Sequence, residues 1–169
     1  MKKVFIIASL LLAGFLAFPD AQAQTSVRRN IVNQPDWGPT GYNYVSFYYF
    51  PDYNIYFDLG KNKYIVFSNN RWTYVNAIPA RINFNPYNSY KVVINQSKPY
   101  LYNKTHQREY ARYKGQGSKQ PMIRDSREEK YYESKQHPKH DEWQKNQSGR
   151  NNAKTQGTKS QNTKSQRRR

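Results

Sequence analysis

The sequence predicts an α+β, β-rich fold: a small antiparallel β-meander with a short C-terminal helix and a disordered basic tail. Residues 42–75 contain β-rich runs separated by the turn-forming pairs Gly60-Lys61 and Asn69-Asn70. Residues 100–114 lack glycine and proline and repeat aromatic side chains at helical spacing. Residues 115–169 contain no valine, leucine or phenylalanine, so we expect them to bury too little apolar surface to offset the entropy of ordering.

Turn placement predicts the register of the meander. A turn at Gly60-Lys61, with positive φ at the glycine, sets Asp58 opposite Lys63. A turn at Asn69-Asn70 sets the next two strands in register independently, and both turns assign the same residues to the same faces. The first face collects Ile55, Phe57, Leu59, Tyr64, Val66, Thr73 and Val75, and the second face collects Tyr56, Asp58, Lys63, Ile65, Phe67, Trp72 and Tyr74.

Composition divides the rest of the chain. Residues 24–41 are a polar lead-in, and residues 42–114 form the predicted β-rich domain, with further β-rich runs at 44–50 and 90–94. Pro51-Asp52 predicts a turn or an edge bulge, because proline cannot donate to a ladder. Residues 115–169 are the predicted tail. We expect the domain to stay folded when this tail is removed.

The N-terminus has the three parts of a signal peptide. Lys2 and Lys3 precede an apolar run at residues 4–18, and Ala21-Gln22-Ala23 provides the small residues that signal peptidase requires. Residues 1–23 are therefore a predicted signal peptide cleaved before Gln24, and the mature chain is predicted to be secreted or periplasmic. No later apolar run approaches the roughly 20 residues of a membrane span. Cysteine is absent, so disulfides contribute nothing to stability.

Four short motifs connect the chain with a known group of proteins. They are YYFPD at 48–52, YFD at 56–58, RW at 71–72 and YKVVI at 90–94. In these motifs, residues 42–113 resemble a family of small secreted Bacteroidota proteins without a characterised activity. The resemblance implies a secreted or envelope location and implies nothing about mechanism.

Few residues in the predicted domain suit catalysis. Together with the lead-in, the domain has Asp36, Asp52, Asp58 and Glu109 as its carboxylates and His106 as its histidine. Asp52 suits a Pro-Asp turn and Asp58 has a predicted cationic neighbour, so neither needs a catalytic explanation. Phosphate loops, nucleophile elbows and zinc spacings are missing from the sequence, and the histidines within residues 137–141 are better explained by chance than by a metal. The sequence predicts no enzyme activity, no cofactor and no metal site.

Charge favours an anionic partner. The net charge is +17, and residues 145–169 contain eight cations and no acid. Such a segment binds polyanions by counterion release without sequence readout. The leading prediction is a non-enzymatic secreted or envelope protein that binds anionic polymers (anionic glycans, lipopolysaccharide or nucleic acid) or an anionic envelope surface. The predicted polyanion-binding residues are Lys145, Arg150, Lys154, Lys159, Lys164, Arg167, Arg168 and Arg169.

The aromatic second face favours another function. An exposed aromatic sheet surface next to cations is typical of a carbohydrate-binding module or a surface on which nucleic-acid bases stack. The candidate ligand-binding residues are Tyr56, Trp72, Tyr74, Arg71 and Lys63. The alternative explanation is that this face is half of the core, covered by the helix predicted at 100–114, most of all at Phe67 and Trp72. The sequence leaves both interpretations open.

Overall fold

The computed structural model describes residues 28–117 and 119–150. Its centre is an antiparallel sheet of five strands: β1 Phe47–Phe50, β2 Ile55–Asp58, β3 Lys63–Ser68, β4 Arg71–Val75 and β5 Val92–Ile94. The strands lie in the order β4-β3-β2-β1-β5, so the first four form the predicted meander. The predicted α+β fold class is confirmed. The predicted signal peptide at residues 1–23 lies outside the described residues.

The predicted strand registers are confirmed. Asp58 lies opposite Lys63 across β2 and β3, and Phe67 lies opposite Trp72 across β3 and β4. Because side chains alternate along a strand, these pairs fix the two faces of the whole meander.

Asparagine, rather than glycine, supplies the positive φ angles of these hairpins. Asn69 and Asn70 have φ of 50° and 57°, and this pair of left-handed residues matches the twist of a two-residue hairpin. The predicted positive φ at Gly60 is wrong. Asn62 has that conformation instead, at φ 54°, because β2 and β3 are joined by four loop residues, 59–62.

The two faces of the sheet pack into separate apolar clusters. The first face joins Trp37, Val45, Tyr48, Phe50, Ile55, Phe57 and Leu59. The second face joins Tyr49, Tyr56, Ile65 and Ile94, with Trp72, Tyr74 and Tyr110 packed at its margin. Residues 76–91 link the two edge strands, β4 and β5. This connection packs Ile78, Phe84 and Tyr87 on the first face, so a long loop completes that half of the core.

The helical segment on the second face is shorter than predicted. A 3₁₀ turn at Pro99–Tyr102 precedes helix α1, Asn103–Glu109, and another 3₁₀ turn follows at Ala111–Tyr113. Regular helix stops at Tyr110, and the Tyr113 ring stacks on Tyr90 at a centroid distance of 4.3 Å. Because of this packing, the chain after Tyr110 does not continue as a regular α-helix. In the two described ranges, no helix is long and apolar enough to cross a membrane.

Part of the predicted tail is folded. Residues 121–137, which we call the strap, bury Ile123 and Tyr131 completely against Ile31 of the lead-in. Residues 140–150 form a helix. The prediction of disorder from Gly115 onward is therefore wrong for the strap, and a boundary at residue 114 would separate parts that pack together. Residues 151–169 lie outside the described residues.

Hydrogen bonds attach the strap to the lead-in. The Ile123 N–H donates to the Gly38 carbonyl at 2.9 Å, and the Arg124 N–H donates to the Asp36 carbonyl at 2.8 Å. The Ser134 hydroxyl donates to the Gln34 carbonyl at 2.6 Å. Such bonds satisfy backbone groups that would otherwise lie buried without partners. The strap is thus stabilised by its contacts with the lead-in and needs few apolar residues of its own.

We expect Gly38→Ala to destabilise the protein by about 1–3 kcal/mol, the usual cost of overpacking. A Cβ atom at Gly38 would lie 2.8 Å from the Tyr48 hydroxyl oxygen and 3.3 Å from the Ile123 Cδ1 atom. Urea denaturation measures the change. Gly60→Ala is the matched control because its Cβ would make only an ordinary contact, 3.5 Å from Asp58. Equal destabilisation by both substitutions would contradict the close packing of strap and lead-in.

Candidate functional site

An open groove of about 530 Å³ lies on the second face, between the β3–β4 hairpin and the start of α1. We call it the aromatic groove. Its lining residues are Asn54, Phe67, Trp72, Tyr100, Leu101, Tyr102, Asn103, Lys104, Thr105 and Gln107. Aromatic and amide side chains dominate this set, with a single cation and no acid.

The apolar part of the groove is unusually exposed. Phe67 is 54% exposed, Leu101 69% and Tyr102 52%. The rings of Phe67 and Trp72 lie 5.2 Å apart, and those of Trp72 and Tyr100 lie 6.2 Å apart with planes inclined at 32°. Large exposed apolar side chains gathered on one surface mark binding sites more often than isolated ones do.

Local backbone geometry places these aromatic residues. Phe67 and Trp72 are cross-strand neighbours one pair away from the Asn69-Asn70 turn, so their side chains project together at the tip of the hairpin. On the opposite side, Lys98 has a left-handed φ of 48° and Pro99 begins the 3₁₀ turn. This sharp change of direction presents Leu101 and Tyr102 to the solvent.

An amide network forms the polar part of the groove. The Asn103 Nδ2 atom donates to the Asn54 Oδ1 atom at 2.6 Å and to the Tyr56 hydroxyl at 3.0 Å. The Gln107 Nε2 atom donates to the Asn103 Oδ1 atom at 2.5 Å. From below, the Tyr49 hydroxyl donates to the Asn54 Oδ1 atom at 3.1 Å. The network therefore fixes the orientation of the amide groups that line the groove.

A buried histidine ends this network. The Tyr56 hydroxyl lies 2.9 Å from the His106 Nδ1 atom. Because the Tyr56 oxygen accepts a hydrogen bond from Asn103, its own proton is free to donate to an unprotonated Nδ1. Burial lowers the pKa of His106, partly opposed by Glu109, and burial raises the pKa of Tyr56. Both shifts favour the neutral forms that this hydrogen bond requires.

The network predicts a loss of stability in acid. Since the folded-state pKa of His106 is depressed, the unfolded chain binds the proton more readily. The stabilising contribution is complete above the ordinary pKa of 6.5 and decreases as the pH falls below it. We expect the urea midpoint to fall more between pH 7.5 and pH 5.0 in the wild type than in His106→Gln. Equal pH dependence in both proteins would contradict the role of His106.

The structure divides the residues predicted to bind ligand. Trp72 lines the aromatic groove. Tyr56 is completely buried beneath it, so the prediction that Tyr56 contacts a ligand is wrong. Its hydroxyl is used inside the protein, where a large aromatic ring with a satisfied polar atom is stable. Arg71 and Lys63 are exposed but lie outside the groove lining.

The Tyr74 side chain also makes its contacts within the protein. Its hydroxyl donates to the Asp58 Oδ2 atom at 3.1 Å, and the Lys61 ammonium lies 4.1 Å from its ring centroid. Asp58 further accepts a hydrogen bond from the Lys61 N–H. Although Asp58 and Lys63 are register partners as predicted, no ion pair between them is recorded in the described ranges. Tyr74 is therefore part of a structural cluster beside the groove.

The sequence did not predict that residues of the 3₁₀ turn and α1 line the groove. Tyr100, Leu101 and Tyr102 are consecutive, and neither helical nor strand periodicity turns three adjacent residues toward one surface. The available signal was Lys98-Pro99 before an apolar run, which indicates a helix start. The side on which that run is exposed depends on long-range packing.

The basic C-terminal residues are only partly described. Lys145 and Arg150 are exposed on the helix at residues 140–150. The other predicted polyanion-binding residues, from Lys154 to Arg169, lie outside the described residues. Both histidines of residues 137–141 make hydrogen bonds: His137 Nε2 donates to the Ser126 carbonyl and His140 Nδ1 donates to the Tyr132 carbonyl.

Comparison of the chain with models of known protein families, with curated proteins and with solved structures finds no match. The resemblance in residues 42–113 therefore stays a prediction. Functional inference depends on the geometry and chemistry of the aromatic groove and on the distribution of charge.

Proposed function

We propose that this protein is a non-enzymatic, secreted glycan-binding protein, and that its aromatic groove binds a neutral carbohydrate chain. One observation carries the proposal: Phe67, Leu101 and Tyr102 are exposed together beside Trp72, opposite a wall of oriented amides. This is the carbohydrate-binding alternative that the aromatic face indicated, and the exposed side chains of the aromatic groove support it.

The chemistry of the two walls suits a sugar. A sugar ring has an apolar C–H surface that packs on an aromatic ring, while its hydroxyls both donate and accept hydrogen bonds. Amide side chains also do both, and Asn54, Asn103 and Gln107 line one wall. Lys104 is the only charged lining residue. The groove therefore favours a neutral chain over a highly charged one.

The open shape indicates which part of a glycan binds. A volume of about 530 Å³ lies within the roughly 300–1,000 Å³ of small-molecule sites. The groove is open to solvent at its surface, so a chain can enter from the side and continue beyond the contact. We therefore expect internal segments of a polysaccharide to bind, and not only its free ends.

Affinity electrophoresis through gels that contain neutral polysaccharides tests the proposal. Galactomannan, hydroxyethyl cellulose and laminarin are suitable probes. We expect at least one of them to retard the mature chain, and we expect Phe67→Ala with Tyr102→Ala to weaken that binding about tenfold or more, because truncating a buried anchor removes over about 1 kcal/mol. Tyr42→Ala is the matched control, since Tyr42 is 39% exposed and lies outside the groove lining. Equal retardation of all three proteins would contradict the groove as the site.

The basic C-terminal residues support a second candidate function, adhesion to anionic polymers. Lys145 and Arg150 are exposed, and residues 145–169 carry eight cations without an acid. Counterion release gives such a segment affinity for polyanions whatever its conformation. The two functions use different residues, so one chain is able to perform both.

The proposed location is outside the cytoplasmic membrane. It is supported by the signal-peptide pattern in residues 1–23. We expect the protein purified from a secretion-competent host to begin at Gln24, and its intact mass and N-terminal sequence measure this. An N-terminus that retains the apolar run at residues 4–18 would contradict cleavage.

A further inference from the structure

A second cavity lies on the first face of the sheet, on the opposite side from the aromatic groove. It has a volume of about 210 Å³ and lies between the β3–β4 hairpin and residues 79–82. We call it the arginine pocket. Its lining residues are Val66, Phe67, Ser68, Asn69, Arg71, Thr73, Val75, Pro79, Arg81 and Ile82.

The arginine pocket has an apolar floor and a cationic rim. Val66 and Val75 are half-buried, and Ile82 faces them from the loop. Arg71 and Arg81 are exposed and approach the same cavity from the hairpin and from the loop. Apolar and cationic groups are therefore combined in one small space.

No carboxylate balances these arginines locally. The ion pairs recorded within the described ranges involve neither Arg71 nor Arg81. The fifty residues 59–108 contain no aspartate or glutamate at all. Asp58, which precedes this stretch, is already hydrogen-bonded to the Tyr74 hydroxyl and to the Lys61 N–H. Among the described residues, neither arginine is therefore paired with a carboxylate.

We propose that the arginine pocket binds a small aliphatic acid, with its anionic group between Arg71 and Arg81 and its apolar body on Val66, Val75 and Ile82. A guanidinium group presents paired N–H donors that match the two oxygens of a carboxylate. The volume is below the roughly 300–1,000 Å³ of drug-sized sites, so the ligand is a short acid or one acidic substituent of a larger molecule. Phe67 lines both cavities, but the two arginines and the apolar floor lie outside the lining of the aromatic groove.

NMR titration of the mature chain with hexanoate tests the proposal, with 1-hexanol and acetate as matched probes. We expect hexanoate to bind at least tenfold more tightly than either, because only hexanoate supplies both the anion and the apolar body. Backbone amide shifts should change in residues 66–75 and 79–82 and stay constant around residues 100–107 of the aromatic groove.

Two variants test whether Arg71 and Arg81 bind the anionic group of the ligand. We expect Arg71→Gln with Arg81→Gln to weaken hexanoate binding at least tenfold and to leave 1-hexanol binding unchanged. Lys63→Gln is the control, since Lys63 is an exposed cation of β3 outside the pocket lining. Thermal melts show whether each variant is folded, and the exposed positions of both arginines predict that it is. Equal binding of hexanoate and 1-hexanol, unchanged binding in the double variant, or shifts confined to other surfaces would each overturn the proposal.

Discussion

Removing residues 115–169 should lower the melting temperature by at least about 6 °C, whereas removing residues 151–169 should change it little. The longer deletion takes away Ile123 and Tyr131, which are completely buried, and burial of each such side chain contributes about 1.5–3 kcal/mol. For a domain of this size, 1 kcal/mol corresponds to roughly 2–8 °C. Calorimetry on residues 24–169, 24–150 and 24–114 measures both effects.

A point substitution separates packing from chain length. Ile123→Ala in the full mature chain should cost about 2–5 kcal/mol, while Met122→Ala, at a partly exposed neighbouring position, should cost much less. If the chain of residues 24–114 melts within about 2 °C of the full chain, the strap does not contribute to the stability of the domain. The composition-based boundary at residue 114 would then be correct.

The second large effect concerns binding to polyanions. Deleting residues 145–169 should weaken binding to heparin at least tenfold at low salt, because eight cations are lost. The slope of log K against log salt should become shallower by several units, since fewer counterions are released. The deletion shortens the helix at residues 140–150 but leaves the strap, which ends at residue 137, so we expect the sheet and the strap to be preserved. Salt-dependent fluorescence anisotropy measures affinity and slope together.

A variant of unchanged length that lacks the eight charges separates the effect of the cations from the effect of the length of the segment. Replacing all eight cations by glutamine in the full chain should reproduce the effect of the deletion, and Phe67→Ala should leave the heparin slope unchanged because it alters no charge. An undiminished affinity in the deletion variant would assign polyanion binding to the folded domain instead.

The meander was predictable because its determinants are local. Asn69-Asn70 tolerates two left-handed residues, and strand alternation then fixes every pairing from Tyr64 to Val75. The turn after β2 shows the limit of this reasoning. Glycine predicted the positive φ there, but the four-residue loop placed it at Asn62, and the register was unaffected.

The strap was not predictable from composition. A disorder prediction asks whether a segment can bury enough apolar surface by itself, and residues 121–137 contain few large apolar residues. Their ordering depends on backbone groups of Asp36 and Gly38, which accept hydrogen bonds from the strap across more than eighty residues of sequence. Local sequence patterns do not indicate a pairing between segments so far apart in the sequence.

The candidate site was predictable only in part. Alternation correctly placed Phe67 and Trp72 on the aromatic face, but it also placed Tyr56 there, and Tyr56 is buried beneath α1. The face is thus core at its centre, where Tyr56 lies, and exposed at the hairpin tip, where Phe67 lies. This division depends on where α1 ends over the sheet, which strand periodicity does not encode.

The most direct test of glycan binding is NMR titration of the mature chain in 1 M NaCl with an oligosaccharide of the polysaccharide that retards it most. High salt suppresses polyanion contacts, so the remaining binding reports the aromatic groove. We predict shifts in the Trp72 indole, Phe67 and residues 101–107, and loss of these shifts in Phe67→Ala with Tyr102→Ala. Absence of saturable binding by every neutral glycan, or shifts elsewhere on the protein, would contradict the proposed function.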